Sequence, residues 1–200
     1  MLKRSFDIAI SATGLLLLSP LLALIAVLVK LSSAGPALFK QTRIGRNFQF
    51  FQIYKFRTMV QDAPLKGPAI TIGDDPRITR IGKFLRWSKL DELPQLLNVL
   101  KGDMSLVGPR PEVDRYVEMF RRDYEEILRV RPGITDLASL RFRHESETLA
   151  KATDPEMEYC QSILPEKIRL AKEYIQRSSV IFDLQLICKT IVAMFQTNVR

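Results

Sequence analysis

The longest apolar stretch of the chain runs from Ile8 to Val29. It is about as long as a helix needs to be to match the hydrocarbon core of a bilayer. Ser19-Pro20 falls near its middle. The missing proline N–H and the clash of its ring with the preceding turn predict a kink or break there. The adjacent serine hydroxyl is available to a freed carbonyl. Lys3 and Arg4 precede the stretch, and Lys30, Lys40, Arg43 and Arg46 follow it. Positive charge on both flanks favours keeping both ends in the cytoplasm. A helix that dips into the membrane and returns satisfies this, so a re-entrant helix over residues 1–32 is the leading expectation. A spanning helix is the main alternative. A signal peptide is a weaker one, because the stretch is long for such a segment and lacks an A-x-A cleavage site.

Beyond residue 32 the patterns are shorter. FQFFQIYKFRTM, from Phe48 to Met59, alternates and is rich in aromatics, which predicts a strand or hairpin arm. Gln61–Asp75 carries Pro64, Gly67, Pro68 and Gly73 and reads as a loop near a ligand. Helices are predicted over Arg77–Trp87 and over Leu93–Leu100, the latter with Pro94 in its first turn and Gly102 just past its end. Pro111–Val130 reads as one amphipathic helix stopped by Pro132-Gly133. Pro165–Arg177 and Phe182–Phe195 complete the set. The last, with Phe182, Leu186, Val192 and Phe195 among its apolar positions, suits either a core or a lipid surface. The expected class is α+β and mainly helical: a re-entrant helix broken at Ser19-Pro20, a β-hairpin and amphipathic interfacial helices. Residues 33–200 form one catalytic domain in this reading.

Composition narrows the chemistry. A formal charge of +8 suits an anionic partner, whether nucleic acid, membrane surface or phosphorylated substrate. One histidine, His144, and two distant cysteines, Cys160 and Cys188, argue against a zinc site, a disulfide framework and His-based nucleophilic triads. No GxxxxGK[ST] or GxGxxG loop is present to hold phosphates. Carboxylates and cations are left to do the work.

Three clusters stand out. Asp91-Glu92 precedes Pro94, where acidic residues commonly cap a helix; the same position suits phosphate or Mg²⁺ binding. Gly108-Pro109-Arg110-Pro111 presents an arginine from a backbone stiffened by two prolines, apt for bidentate recognition of phosphate. Lys55, Arg57, Arg77, Arg80, Lys83 and Arg86 bracket the acidic pair in sequence. They read either as a solvated face or as the cations a diphosphate needs.

Four stretches together resemble the bacterial sugar transferases, monotopic phosphoglycosyl transferases in their small, catalytic-unit form. They are YKFRTM (Tyr54–Met59), DDPRITRIGKFLR (Asp74–Arg86), LDELPQLLNVLKGDMSLVGPRP (Leu90–Pro111) and RPGIT (Arg131–Thr135). The resemblance implies an enzyme on the cytoplasmic face of the bacterial inner membrane. It would move a sugar 1-phosphate from a UDP-sugar to undecaprenyl phosphate and release UMP, with Mg²⁺. Asp91 would be the nucleophile, forming an aspartyl phospho-sugar; Asp91 and Glu92 would hold the metal, and Glu92 would also assist the incoming lipid phosphate. Arg110 would contact the nucleotide, and Lys55 and Arg86 would bind phosphate. Arg57 and Arg143 are further candidate substrate contacts, with Arg141 and His144 near the latter. Membrane lipids are expected partners, nucleic acid is not, and a homodimer is left open. The competing class is a non-enzymatic basic membrane adaptor binding anionic lipid or nucleic acid. Many members read GITGLAQV where this chain has Gly133-Ile134-Thr135-Asp136-Leu137-Ala138-Ser139. The divergent 136–167 region leaves the identity of the sugar open.

Overall fold

The computed structural model describes residues 2–63, 66 and 70–196. Helix α1, Leu2–Ser32, is one helix with Pro20 inside it. Of the kink or break expected at Ser19-Pro20, a break by a loop is not what the chain adopts: the helix continues through Pro20. Pro20 has no N–H for the Leu16 carbonyl, and the Ser19 hydroxyl donates to that carbonyl instead (2.8 Å). The helix is long and apolar enough to cross a membrane by length and composition, with a mean hydropathy of 2.5 over its most apolar window. Both of its halves nevertheless lie on the same protein body. Phe6 and Leu15 pack with Leu96, Val99 and Leu106, and Ile25 and Val29 pack with Phe56 and Leu85. Leu16, Leu17, Leu24 and Leu31 stay exposed.

β1 (Leu38–Ile44) and β2 (Phe50–Phe56) form an antiparallel hairpin, with Leu38 opposite Phe56 and Ile44 opposite Phe50. Alternation puts Ile53 and Lys55 on one face of β2 and Phe56 on the other, against α1. α2 (Arg80–Ser88) starts at the Thr79 cap, whose hydroxyl accepts from Gly82 N (2.9 Å). It runs so close to the hairpin that a Cβ on Gly82 would sit 2.0 Å from the Thr58 carbonyl. α3 (Gln95–Lys101) begins at Pro94 and ends at Gly102 in the left-handed region, φ 94°.

The anticipated helix over Pro111–Val130 is two short ones, α4 (Asp114–Met119) and α5 (Arg121–Ile127). Phe120, at φ −120° and ψ 36°, separates them while its side chain packs on the core. β3 (Ser105–Val107) pairs in parallel with β4 (Gly133–Thr135). α6 (Leu137–Arg141), α7 (Glu145–Ala150) and α8 (Pro155–Glu158) lead through a π turn, Tyr159–Ile163, into α9 (Leu164–Arg177) and α10 (Val180–Gln196). On α10 Leu186 is fully buried, whereas Ile181, Ile191 and Val192 are exposed. The helix thus serves the core on one face only. The Phe195 side chain, and Pro64, Gly67 and Pro68 of the expected loop, lie outside the described residues.

Candidate active site

The acidic pair occupies a 3-10 turn, Leu90–Glu92, between α2 and α3. Lys89 ends α2 in the left-handed region (φ 57°), a conformation that costs a residue with a Cβ about 1 kcal/mol or more. This turn carries the pair away from the axis of α2 and into the body. Neither carboxylate caps α3: its N-cap is Pro94, with no side-chain cap bond. The helix-cap explanation of the pair is thereby removed.

The two carboxylates are treated differently. Glu92 is saturated with cations. Its Oε1 accepts from Lys55 Nζ (2.7 Å) and Arg110 Nη2 (2.6 Å), and its Oε2 accepts from Arg110 Nη1 (3.3 Å). Burial alone would raise its pKa, but the Arg110 and Lys55 charges outweigh burial and hold it well below the ordinary glutamate value. Asp91 is 8% exposed, and its Oδ1 is buried with no hydrogen-bond partner. Burial first, and then the Glu92 charge, push its carboxyl up to about 6; Lys55, Lys89 and Arg86 oppose the rise. A buried carboxylate with one oxygen that no protein donor fills, close to Lys55, Lys89 and Arg86, is suited to chemistry or to a ligand.

The cations come from four separate segments. Lys55 comes from β2, which Asn98 fixes to α3 by accepting from Tyr54 N (3.0 Å) and donating to the Gln52 carbonyl (2.7 Å). Desolvation lowers the Lys55 pKa against the pull of Glu92. Arg86, on α2, donates to the hydroxyls of Thr58 (2.8 Å) and Thr71 (3.0 Å); burial lowers its pKa, and Asp91 is its largest opposing charge. Lys89 contributes from the turn itself. Arg110 projects from Gly108-Pro109-Arg110-Pro111, and its pKa is raised chiefly by Glu92. RPGIT holds that segment in place. Gly133 N donates to the Pro109 carbonyl (3.0 Å), Gly108 N donates to the Thr135 carbonyl (3.1 Å), and a Cβ on Gly133 would fall 2.0 Å from Gly108 N.

The structure thus brings Asp91, Glu92, Lys55, Arg86 and Arg110 together. It places Arg57 and Arg143 elsewhere. Arg57 donates to the Val29 (3.2 Å) and Ser33 (2.7 Å) carbonyls and so clasps the end of α1. Arg143 donates to the Ala193 carbonyl on α10. His144 is exposed and pairs with Glu147 (3.1 Å). Asn98, Thr58, Thr71 and Asp136 were not singled out by sequence; uncharged or capping residue types carry no local mark of a site.

The segments that carry this arrangement all fall within a match to a known family. The bacterial sugar transferase model matches residues 1–197. The chain belongs to that family. It is 42% identical to an exopolysaccharide production protein, PSS, of Rhizobium leguminosarum bv. phaseoli, over 96% of this chain and 94% of the relative. It is 39% identical to the UDP-glucose:undecaprenyl-phosphate glucose-1-phosphate transferase of Escherichia coli K12, over 98% of this chain. It is 40% identical to a UDP-N-acetylgalactosamine-undecaprenyl-phosphate N-acetylgalactosaminephosphotransferase of Aeromonas hydrophila, over 95% of this chain. The chain spans only 40% and 43% of the length of these last two relatives. Family membership thus rests on a region that contains the whole acidic and cationic cluster.

Proposed function

We propose that this chain transfers a sugar 1-phosphate from a UDP-sugar to undecaprenyl phosphate and releases UMP, as the first membrane step in building a polysaccharide or other glycoconjugate. The observation that carries this is the buried Asp91 oxygen with no partner, set among Lys55, Lys89 and Arg86, beside the Glu92 that Arg110 holds. A basic adaptor needs surface charge, not a buried carboxylate oxygen left without a donor among cations. The names of the curated relatives supply the substrate class.

In the first step an Asp91 oxygen attacks the sugar-linked phosphorus. The bond from that phosphorus to the bridging oxygen breaks, and UMP leaves with the electron pair. In the second step a phosphate oxygen of the lipid attacks the aspartyl phosphorus and restores the Asp91 carboxylate. Lys55, Arg86 and Arg110 neutralise the diphosphate, and water exclusion around Asp91 strengthens these contacts. Arg110 donates two parallel bonds to Glu92, a geometry that phosphate oxygens reproduce.

Mg²⁺ fits the donor set in part. Asp91 offers a free hard oxygen, whereas Glu92 would have to share its oxygens with Lys55 and Arg110. Among the described residues no group of three or more His, Cys, Asp or Glu side chains gathers around a metal position. Phosphates of the substrate would complete the shell, the usual arrangement for this ion. When bound, Mg²⁺ would neutralise charge on the diphosphate.

We place the body on the cytoplasmic face with α1 entering and leaving the membrane on that side. The packing of both α1 halves on one body and the basic residues at both of its ends support this.

The test is UMP release from a panel of UDP-sugars with undecaprenyl phosphate and Mg²⁺, which also identifies the sugar. UMP release with one sugar is expected; none with any of them would overturn the reading. With label in the sugar-linked phosphate and no lipid acceptor, radioactivity should stay on denatured protein. Unlabelled protein under trapping conditions would replace two steps with one.

A further inference from the structure

Arg110 is held at two ends. Its guanidinium is bound by Glu92, on the side where the substrate would sit. Its backbone N–H is held from behind by Asp136 Oδ2 (3.1 Å). Asp136 is 2% exposed, and its other oxygen accepts from Ser139 N (2.6 Å), capping α6. One buried carboxylate therefore joins the segment that presents Arg110 to the helix that opens the divergent region. Arg110 and Asp136 also line a cavity of about 20 Å³ with Glu112 and Lys167, room for about one water molecule. The backbone behind Arg110 is thus fixed by Asp136 and by RPGIT.

A substrate diphosphate that takes over the guanidinium removes the hold of Glu92. The hold of Asp136 on the backbone remains. We propose that Asp136 is the positioning residue for Arg110: by fixing the arginine backbone it sets where the guanidinium meets the nucleotide diphosphate. This rests on the reading above that Arg110 contacts that group. Asp136 itself touches no substrate in this account.

The two duties of Asp136 can be separated. Serine at this position still caps α6 through its hydroxyl but is too short to serve the Arg110 N–H as well. Asparagine keeps the size but only one accepting oxygen, so one of the two N–H donors loses its partner. In full-length protein in membranes, Asp136→Ser is expected to raise KM for the UDP-sugar by roughly five- to tenfold, with kcat within about twofold. UDP alone, measured by calorimetry, should weaken by a similar factor. Asp136→Asn should fall between the native protein and Asp136→Ser.

The deciding measurement is a double-mutant cycle with Arg110→Ala. If Asp136 acts through Arg110, Asp136→Ser adds almost nothing once Arg110 is gone. A KM increase of the same size in the Arg110→Ala background would show general structural damage and overturn the proposal, as would an unchanged KM in the single variant. If Arg110→Ala itself leaves UDP affinity and KM unaltered, the assignment of Arg110 to the nucleotide fails, and the role of Asp136 fails with it. Loss of fold in Asp136→Ser, seen as a collapsed thermal transition, transfers the same cycle to Asp136→Asn.

Discussion

Two buried acidic centres, one packed on the strand β3 and one in the Leu90–Glu92 turn, are built on opposite principles. Behind the strand, Asp183 accepts from Tyr174 OH (2.7 Å) and from Lys3, and both donors also reach the Val107 carbonyl (3.0 Å each). Next to it Asp7 accepts from the Ser105 hydroxyl (2.8 Å) and from Leu106 N (3.2 Å). All four carboxylate oxygens have donors. In the Leu90–Glu92 turn Glu92 is saturated, whereas Asp91 Oδ1 has no donor. Burial of an ionisable group is thus no sign of function in this protein. The closed centre bolts α1, α9 and α10 to the strand that leads into Arg110. The open centre leaves one acceptor unfilled, which costs stability and keeps an oxygen available.

The sharpest test of that contrast is Asp91→Asn. Turnover should fall by at least about 10³-fold, as expected when a nucleophile is removed. Thermal stability at pH 8 should hold or rise, because a dry, unpartnered charge has been removed. Near-native turnover, or a lower melting temperature, would break the comparison at its open end.

The closed end is tested by Asp183→Ala, which leaves Lys3 and Tyr174 without their shared acceptor. A loss of about 3 kcal/mol in stability is expected, with turnover per folded molecule within a few-fold of native. An unchanged denaturation midpoint would show that the network is ornamental.

pH acts in two directions at Asp91. Attack requires the carboxylate, so kcat/KM should drop about tenfold per unit below an acid limb near 6, the raised value that burial and Glu92 impose. Bound Mg²⁺ or other cationic neighbours would move this limb lower. For stability the sign is reversed. The folded state holds the Asp91 proton more tightly than the unfolded chain does, so this contribution is lost as pH rises from the ordinary aspartate value through about 6. The stabilising effect of Asp91→Asn should therefore be greatest above pH 6. A stability difference between the native protein and Asp91→Asn that stays flat from about pH 4 to 8 without Mg²⁺ would refute the raised value.

The smallest effects are expected where sequence proposed contacts that the structure places outside the cluster. Arg57→Lys should cost about 1–2 kcal/mol through the α1 carbonyls it holds, with KM within about twofold. Arg143→Ala should also leave KM within about twofold. A tenfold rise in either would extend the site toward α1 or α10.

Much of this protein was legible in its residues. The apolar run foretold α1, the alternation around Ile53 and Lys55 foretold β2, and Pro94 and Gly102 bracketed α3. The serine beside Pro20 foretold its own hydrogen bond to a freed carbonyl. These features depend on local sterics and on periods of two or 3.6 residues, which a linear string displays. Legibility stopped at Phe120, where a core contact splits a helix that the pattern would continue. It stopped also at β3 and β4, three residues each, whose pairing joins segments far apart in the chain.

By itself, then, the sequence determined the membrane helix, the family motif and the residue types from which a site must be made. Only the tertiary structure decided that Glu92 is spent on Lys55 and Arg110 while Asp91 keeps a bare oxygen, that Arg57 serves α1, and that Asp136 stands behind Arg110. Neighbours in sequence share composition and charge, but desolvation and hydrogen bonding depend on what the rest of the chain brings within about 3 Å. Two adjacent acids can therefore be indistinguishable as text and opposite in chemistry.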